Sequence, residues 1–277
     1  MKGPLKTVLP PALIIILLVI SSVSVSGCLG NMESESSESL YLYELRFSTS
    51  GPLENATLLI PIPSSYNEES GNNETFINIS EISFRNFDRG NLSVDIEDVK
   101  GVPMLRIAGD RITPVYKNYI QPIAIMPGQN ESELPEPTQI YSDRYSEKTP
   151  LLVEMELHMQ YNVDHEIETR MPVGKEPLFM PYRIQKNFSS AEGGMYEDCY
   201  LREGASGHIF EVPFILLYET DDENVLTISS DFQGINQWWV LGWQSNSYSE
   251  RIRHEFMGKG NGTSYVRGVL MTGEGVY

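Results

Sequence analysis

The chain has 277 residues, 40% of them hydrophobic, and 20 Lys and Arg stand against 38 Asp and Glu, a formal charge of −18. So acidic a polypeptide has no basic footprint for nucleic acid, is repelled by anionic lipid headgroups, and favours solubility or cation contact. It is long enough to bury a substantial core, as one large domain or two small ones, and its two cysteines do not make a disulfide-stapled fold.

Residues 1–27 carry only two charges, Lys2 and Lys6, followed by an apolar run from Val8 to Ile20 broken by Pro10 and Pro11, then small residues before Cys28. A short basic segment, an apolar segment and small residues make a secretory signal. Val25-Ser26-Gly27-Cys28 resembles the lipobox of prokaryotic lipoproteins. That resemblance covers four residues and implies lipidation of Cys28, which would become the mature N-terminus. The other reading is a retained membrane anchor, since Leu5 to Val25 is about long enough to cross roughly 30 Å of hydrocarbon. Either way the remainder is exported and held at the extracytoplasmic face of the cell membrane. Residues 28–39 include Asn31 to Ser39, a Ser/Glu run with almost nothing to bury, and are expected to form a flexible acidic tether.

Seven Asn-x-Ser/Thr sequons follow, at Asn55, Asn73, Asn78, Asn91, Asn130, Asn187 and Asn261. Chance would place roughly two among this chain's asparagines under the acceptor rule, so a glycoprotein surface is expected. Lipobox, sequons and acidity together look archaeal.

From residue 40 onward the signal is period two, the spacing of strands with one buried face. Tyr41, Tyr43, Leu45 and Phe47 share one side; after a turn at Ser50-Gly51-Pro52, Ala56, Leu58, Ile60 and Ile62 do the same. Leu92, Val94 and Ile96 alternate into a turn at Lys100-Gly101 and return along Leu105 and Ile107 as a hairpin. Between Pro127 and Pro150 the pattern stops. This Pro/Glu/Ser-rich stretch, residues 127–149, divides the chain into β domains over 40–126 and 150–277, or else is a long surface loop on one sandwich.

The longest alternating run starts at Leu151. Val153, Met155, Leu157, Met159, Tyr161, Val163 and Ile167 fall on its apolar face, and Glu154, Glu156 and His158 on its polar face. Ile209 to Tyr218, a turn at Asp221 to Asn224, and Leu226 to Ser230 read as a further hairpin. Trp238 to Trp243 reads as strand, with Trp239, Leu241 and Trp243 inward and Trp238 on the other side. The C-terminus alternates again, and helical spacing is scarce. The expectation is an all-β protein of antiparallel β-sandwich layers.

Chemistry-bearing patterns are sparse. Glu154 and Glu156 stand about 7 Å apart along a strand, a spacing that any i, i+2 pair satisfies. With His158 they are at most a weak Ca²⁺ or other metal site on a solvated face. No zinc motif occurs, and Gly204 to His208 lacks the spacing of a nucleophile elbow. Cys199 has no catalytic partner beside it and reads as structural. Trp238, with Tyr248, is the candidate stacking platform for a sugar or other flat ligand. The expected function is a non-catalytic envelope binding or structural module, whose partners are the membrane and an envelope glycan or protein. The alternative is an extracytoplasmic hydrolase of polysaccharide or peptide.

Overall fold

The computed structural model describes residues 37–86, 91–118, 141–149, 151–180, 183–189, 194–196, 199–201 and 204–277. The side chains of 194–196 and 199–201, that of Cys199 among them, lie outside the described residues, as do Cys28, Asn130 and the whole segment before Ser37.

The fold is all-β and antiparallel. The first half supplies β1 (Ser37–Thr49), β2 (Leu53–Pro61), β3 (Pro63–Asn67), β4 (Asn72–Glu74), β5 (Ser83–Arg85), β6 (Ser93–Asp98), β7 (Pro103–Ile112) and β8 (Val115–Lys117). Next come β9 (Tyr141–Ser142), β10 (Leu151–Val153), β11 (Met155–Val163), β12 (Leu178–Phe179), β13 (Arg183–Ser189), β14 (Gly194–Tyr196) and β15 (Cys199–Leu201). Four long strands close the chain: β16 (Ser206–Glu219), β17 (Val225–Trp239), β18 (Trp243–Met257) and β19 (Gly260–Gly275).

Eleven strands form one curled sheet in the order β5-β11-β1-β17-β18-β19-β16-β2-β7-β6, with β2 and β13 placed end to end along the same edge of β16. Short sheets, among them β10-β8-β9 and β12-β3-β4, accompany it. The inward faces meet in one core. Tyr41, Tyr43, Leu45, Phe47, Leu58, Ile60, Leu157, Phe214, Phe232 and Tyr248 belong to it.

This arrangement corrects the division at residues 127–149. β1 lies between β11 and β17, and β2 pairs with β16, so both halves contribute to one sheet and one core. Of the stretch 127–149, residues 127–140 lie outside the described residues; Tyr141 and Ser142 pair with β8, and the bridge between Ser146 and Thr149 closes a small turn.

The Lys100-Gly101 turn has both residues at positive φ, 58° and 82°, with reciprocal Val99–Val102 backbone bonds. That is the two-residue hairpin whose twist matches its strands. The turn at Asp221 to Asn224 also forms, but not as a hairpin. β17 crosses away from β16 to lie between β1 and β18, and β19 returns beside β16. β16 to β19 thus make a Greek key. Alternation reveals a strand's buried face, not its neighbour.

Val153, Met155, Leu157 and Met159 are buried on the long run, Glu154 and Glu156 half-buried, and His158 exposed. The run ends sooner than its alternation suggests, because the ladder of β11 with β1 stops at the pair Ser39–Val163, near the start of β1. Leu151 and Tyr161 are exposed, and Ile167 is buried from a loop.

One packing device recurs on the long ladders. Gly234 stands opposite Tyr248, Gly268 opposite Phe210, Gly260 opposite Tyr218 and Gly207 opposite Phe188. In each pair the ring lies over the glycine, where an added Cβ would sit 2.3–2.6 Å from ring carbon. The missing side chain makes room for the facing aromatic.

Candidate functional site

At the end of the sheet where β1 begins and β17 finishes, a cleft of about 630 Å³ opens. The start of β1, the loop after β11, the last turns of β17 and Tyr277 line it.

Its floor is a polar network built on the inward phase of two core strands. Asn236 and Asn246 face each other across the β17–β18 ladder, and both are buried. The Asn236 amide donates to Ile167 O at 2.8 Å and to Asn246 Oδ1 at 2.8 Å, and its Oδ1 accepts from Ile167 N at 2.9 Å and Ser39 Oγ at 2.8 Å. All four of its hydrogen-bonding positions are filled, as burial requires. Asn236 therefore acts as a substitute strand for Ile167, the first buried residue after β11 ends.

Asn246 continues the network. It accepts from Thr169 Oγ1 at 3.0 Å and donates to Val276 O at 3.2 Å. Thr169 Oγ1 lies 2.7 Å from the Tyr277 hydroxyl, and the Arg170 guanidinium sits 3.9 Å over the Tyr277 ring. Loop and C-terminus are thus fastened to the floor.

The wall is mixed. The half-buried Trp238 supplies an indole. Glu38 accepts from Gln237 Nε2 at 2.9 Å and Asn162 Nδ2 at 3.3 Å. Asp164, His165 and Glu166 stand exposed at the rim, with His165 Nδ1 3.6 Å from Asp164. An aromatic face beside amides and carboxylates can stack on a flat apolar surface and accept hydrogen bonds from hydroxyls.

Below the cleft, the buried Glu176 carboxylate accepts from Tyr41 Oη at 2.6 Å and Glu168 N at 2.7 Å. Burial, and then this hydrogen bond, push the Tyr41 phenol well above its ordinary range. Glu168 caps the loop by accepting from Arg170 N and Met171 N, and pairs with Lys175 at 3.1 Å. Its carboxyl is held low, first by Lys175.

Several residues singled out from sequence sit elsewhere. Tyr248 is fully buried against Gly234 and donates to Pro177 O at 2.8 Å, so it is core and no part of a platform. Trp239 and Trp243 do not point inward: they are 51% and 60% exposed and pair across a tight turn. The alternation across Trp238 to Trp243 is broken there, where Leu241 and Gly242 take positive φ.

Glu156 pairs with Arg85 at 3.1 Å, and on the adjacent strand Arg46 pairs with Glu44, whose carboxyl it lowers. The polar face of β11 is thus laced with arginine. Among the described residues no group of three His, Cys, Asp or Glu could hold a metal, and Glu154, Glu156 and His158 do not assemble one.

The sequon asparagines Asn55, Asn78, Asn91, Asn187 and Asn261 are exposed. Asn78 caps a single 3-10 turn, and Asn187 Oδ1 lies 2.8 Å from His208 Nδ1. Asn73 is half-buried, its amide donating to Gly101 O at 2.9 Å.

Sequence reasoning missed Asn236, Asn246, Thr169, Arg170 and Tyr277. The signal that could have found the first two was a polar residue at a core phase of an otherwise apolar alternation. Comparison with protein-family models, with curated proteins and with solved structures finds no match.

Proposed function

We propose that this is an exported, membrane-tethered protein of the cell envelope that acts as a non-catalytic binding module, taking a glycan segment in the cleft beside Trp238. The observation that carries the reading is the cleft's composition: a half-buried indole next to Gln237 and the Glu38 carboxylate, above a floor whose amides are already satisfied. A rigid floor with carboxylates at the wall and rim suits a polyhydroxylated ligand, which offers both an apolar ring face and donors. Sequons on an exposed surface fit the same compartment.

Trp238→Ala is expected to weaken glycan binding by about 2 kcal/mol, roughly 30-fold, the scale of an aromatic anchor. Calorimetric titration with envelope polysaccharide fragments measures it. Equal affinity of variant and wild type would remove the cleft from the binding reading. Glu38, Asp164 and Glu166 at the same cleft are the acids a hydrolase would need. Release of reducing ends during the titration would favour that alternative.

The tether has its own test. Wild-type protein extracted from membranes should have an intact mass beginning at a lipid-bearing Cys28, and Cys28→Ser should block processing. A wild type that keeps Met1 points to the transmembrane anchor instead.

A further inference from the structure

All three tryptophans of the chain lie within residues 238–243. Trp239 and Trp243 form the last pair of the β17–β18 ladder, their rings edge to face with centroids 5.7 Å apart. Val240, Leu241 and Gly242 close the hairpin beyond them, with Val240 N donating to Gly242 O at 2.9 Å. The tip is apolar and open to solvent, Leu241 being 82% exposed and Val240 46%. From Phe232 to Ser249 there is no charged residue, in a chain with a net charge of −18. A contiguous exposed apolar tip of this kind marks an interaction surface. Tryptophan at the end of an apolar element is the residue that settles at a membrane–water boundary.

The position of the chain's start selects the occupant. Ser37, the first residue of β1, is paired with Trp238, so the segment carrying the anchor joins the fold beside this tip. Eight residues separate Cys28 from Ser37, nine Cα–Cα steps along the chain. Fully extended, they span at most about 30 Å. A membrane that holds Cys28 or the apolar segment before it therefore lies within reach of Trp239, Leu241 and Trp243.

Charge selects how contact is made. The acidic residues Glu38 and Asp164 stand behind the uncharged tip, so attraction to anionic headgroups cannot drive docking, whereas burial of apolar surface can.

We propose that the Trp239–Trp243 hairpin tip is an interfacial wedge that inserts into the headgroup boundary of the same bilayer that tethers the chain. The inference rests on the membrane-tethered reading above. It makes the anchor and the hairpin two contacts at one end of the molecule, and it places the Trp238 cleft next to the membrane surface.

The full-length protein reconstituted into phosphatidylcholine vesicles tests this, because its intrinsic tryptophan emission comes from the tip region alone. In vesicles with brominated acyl chains the emission should fall by roughly half relative to unbrominated ones, since interfacial elements lie about 5–10 Å into the headgroup and acyl boundary. High salt should leave the quenching unchanged. Leu241→Asp keeps every tryptophan and changes an exposed position; it should still float with the vesicles but lose most of the quenching. Flotation with equal emission in both lipids would overturn the wedge and leave the tether standing. Failure to float would overturn the tether and the wedge with it. Equal emission, with shielding from acrylamide that grows with protein concentration, would also overturn the proposal by assigning the tip to a second copy of the chain.

Discussion

Leu157→Asp should destabilise the protein by about 3–5 kcal/mol, the scale of a buried charge without a partner. Leu157 has no solvent exposure and stands beside Leu45 on β1 and Phe84 on β5, so it is enclosed from both sides of the ladder. A carboxylate there would replace apolar contacts and find no cation. Its sequence neighbour gives the control. Glu156 points away from the core toward Arg85, whose side chain is 76% exposed. Exposed pairs of this kind contribute about 0–1 kcal/mol, and Glu156→Gln should stay within that range. Urea unfolding reads both variants, with the midpoint shifting strongly for Leu157→Asp alone. A large loss from Glu156→Gln would mean that the polar face of β11 has a structural or binding duty beyond a solvated face.

Glu250→Gln should abolish a descending arm of the stability profile above the ordinary carboxyl range. Glu250 faces Phe232 in the interior of the sheet and is 1% exposed. One of its oxygens accepts from Phe179 N at 2.7 Å, while Oε1 has no partner. Burial pushes its carboxyl well above the ordinary range, against the smaller downward pull of the Phe179 bond. The buried Tyr43 lies in the same cross-strand row, and among the described residues no cation contributes to the Glu250 shift.

The sign follows from the proton count. Above the ordinary carboxyl range the unfolded chain has lost this proton and the folded chain keeps it. The contribution of Glu250 is therefore fully present below that range and falls as pH rises toward its elevated folded value, by about 1.4 kcal/mol per pH unit. His208, held low by burial, tilts the profile the other way around the ordinary histidine range. Subtracting the Glu250→Gln profile from that of wild type cancels it. Urea midpoints at pH 4, 5.5 and 7 should show the variant gaining on wild type at each step. A constant difference across that span would mean that Glu250 is ionised in the fold.

The faces of β1, β6 and β11 were legible because each has the period-two pattern that one-sided burial imposes, and the inward faces of β2 and β7 were legible although Leu59, Met104 and Ala108 on their other faces are buried too. Lys100-Gly101 was legible because a two-residue turn with positive φ favours glycine. What alternation cannot carry is the identity of the neighbouring strand. β16 and β17 are consecutive and turn-linked, yet they belong to different positions of a Greek key, and the supposed halves share one sheet.

The tryptophan segment failed for a related reason. Alternation continues formally through Trp239, Leu241 and Trp243, while Gly242 was the residue that signalled a turn. The candidate cleft was written in exceptions. Asn236 and Asn246 occupy core phases of β17 and β18, where an unpaired amide would be costly, and their network is what holds the loop after β11 in place. Thr169 and Tyr277 follow no pattern of their own and reach the site only through the folded chain.

The ring-over-glycine pairs bear on how long strands find one alignment among many. Displacing β19 by two residues along β16 would keep every side chain on its proper face, so polarity alone offers little resistance to that error. Tyr218 would not object either, for it would exchange Gly260 for Gly258 or Gly262. Phe210, eight residues away, would meet Val266 or Leu270 in place of Gly268, and its ring would run into a branched side chain. The two pairs work together like a key with two teeth, one tolerant and one strict. Tyr248 on Gly234 does the same for β18, where a two-residue displacement would drive the ring against Phe232 or Asn236. Proofreading of alignment is thereby built into the inner surface of the sheet, at the positions where a side chain is missing.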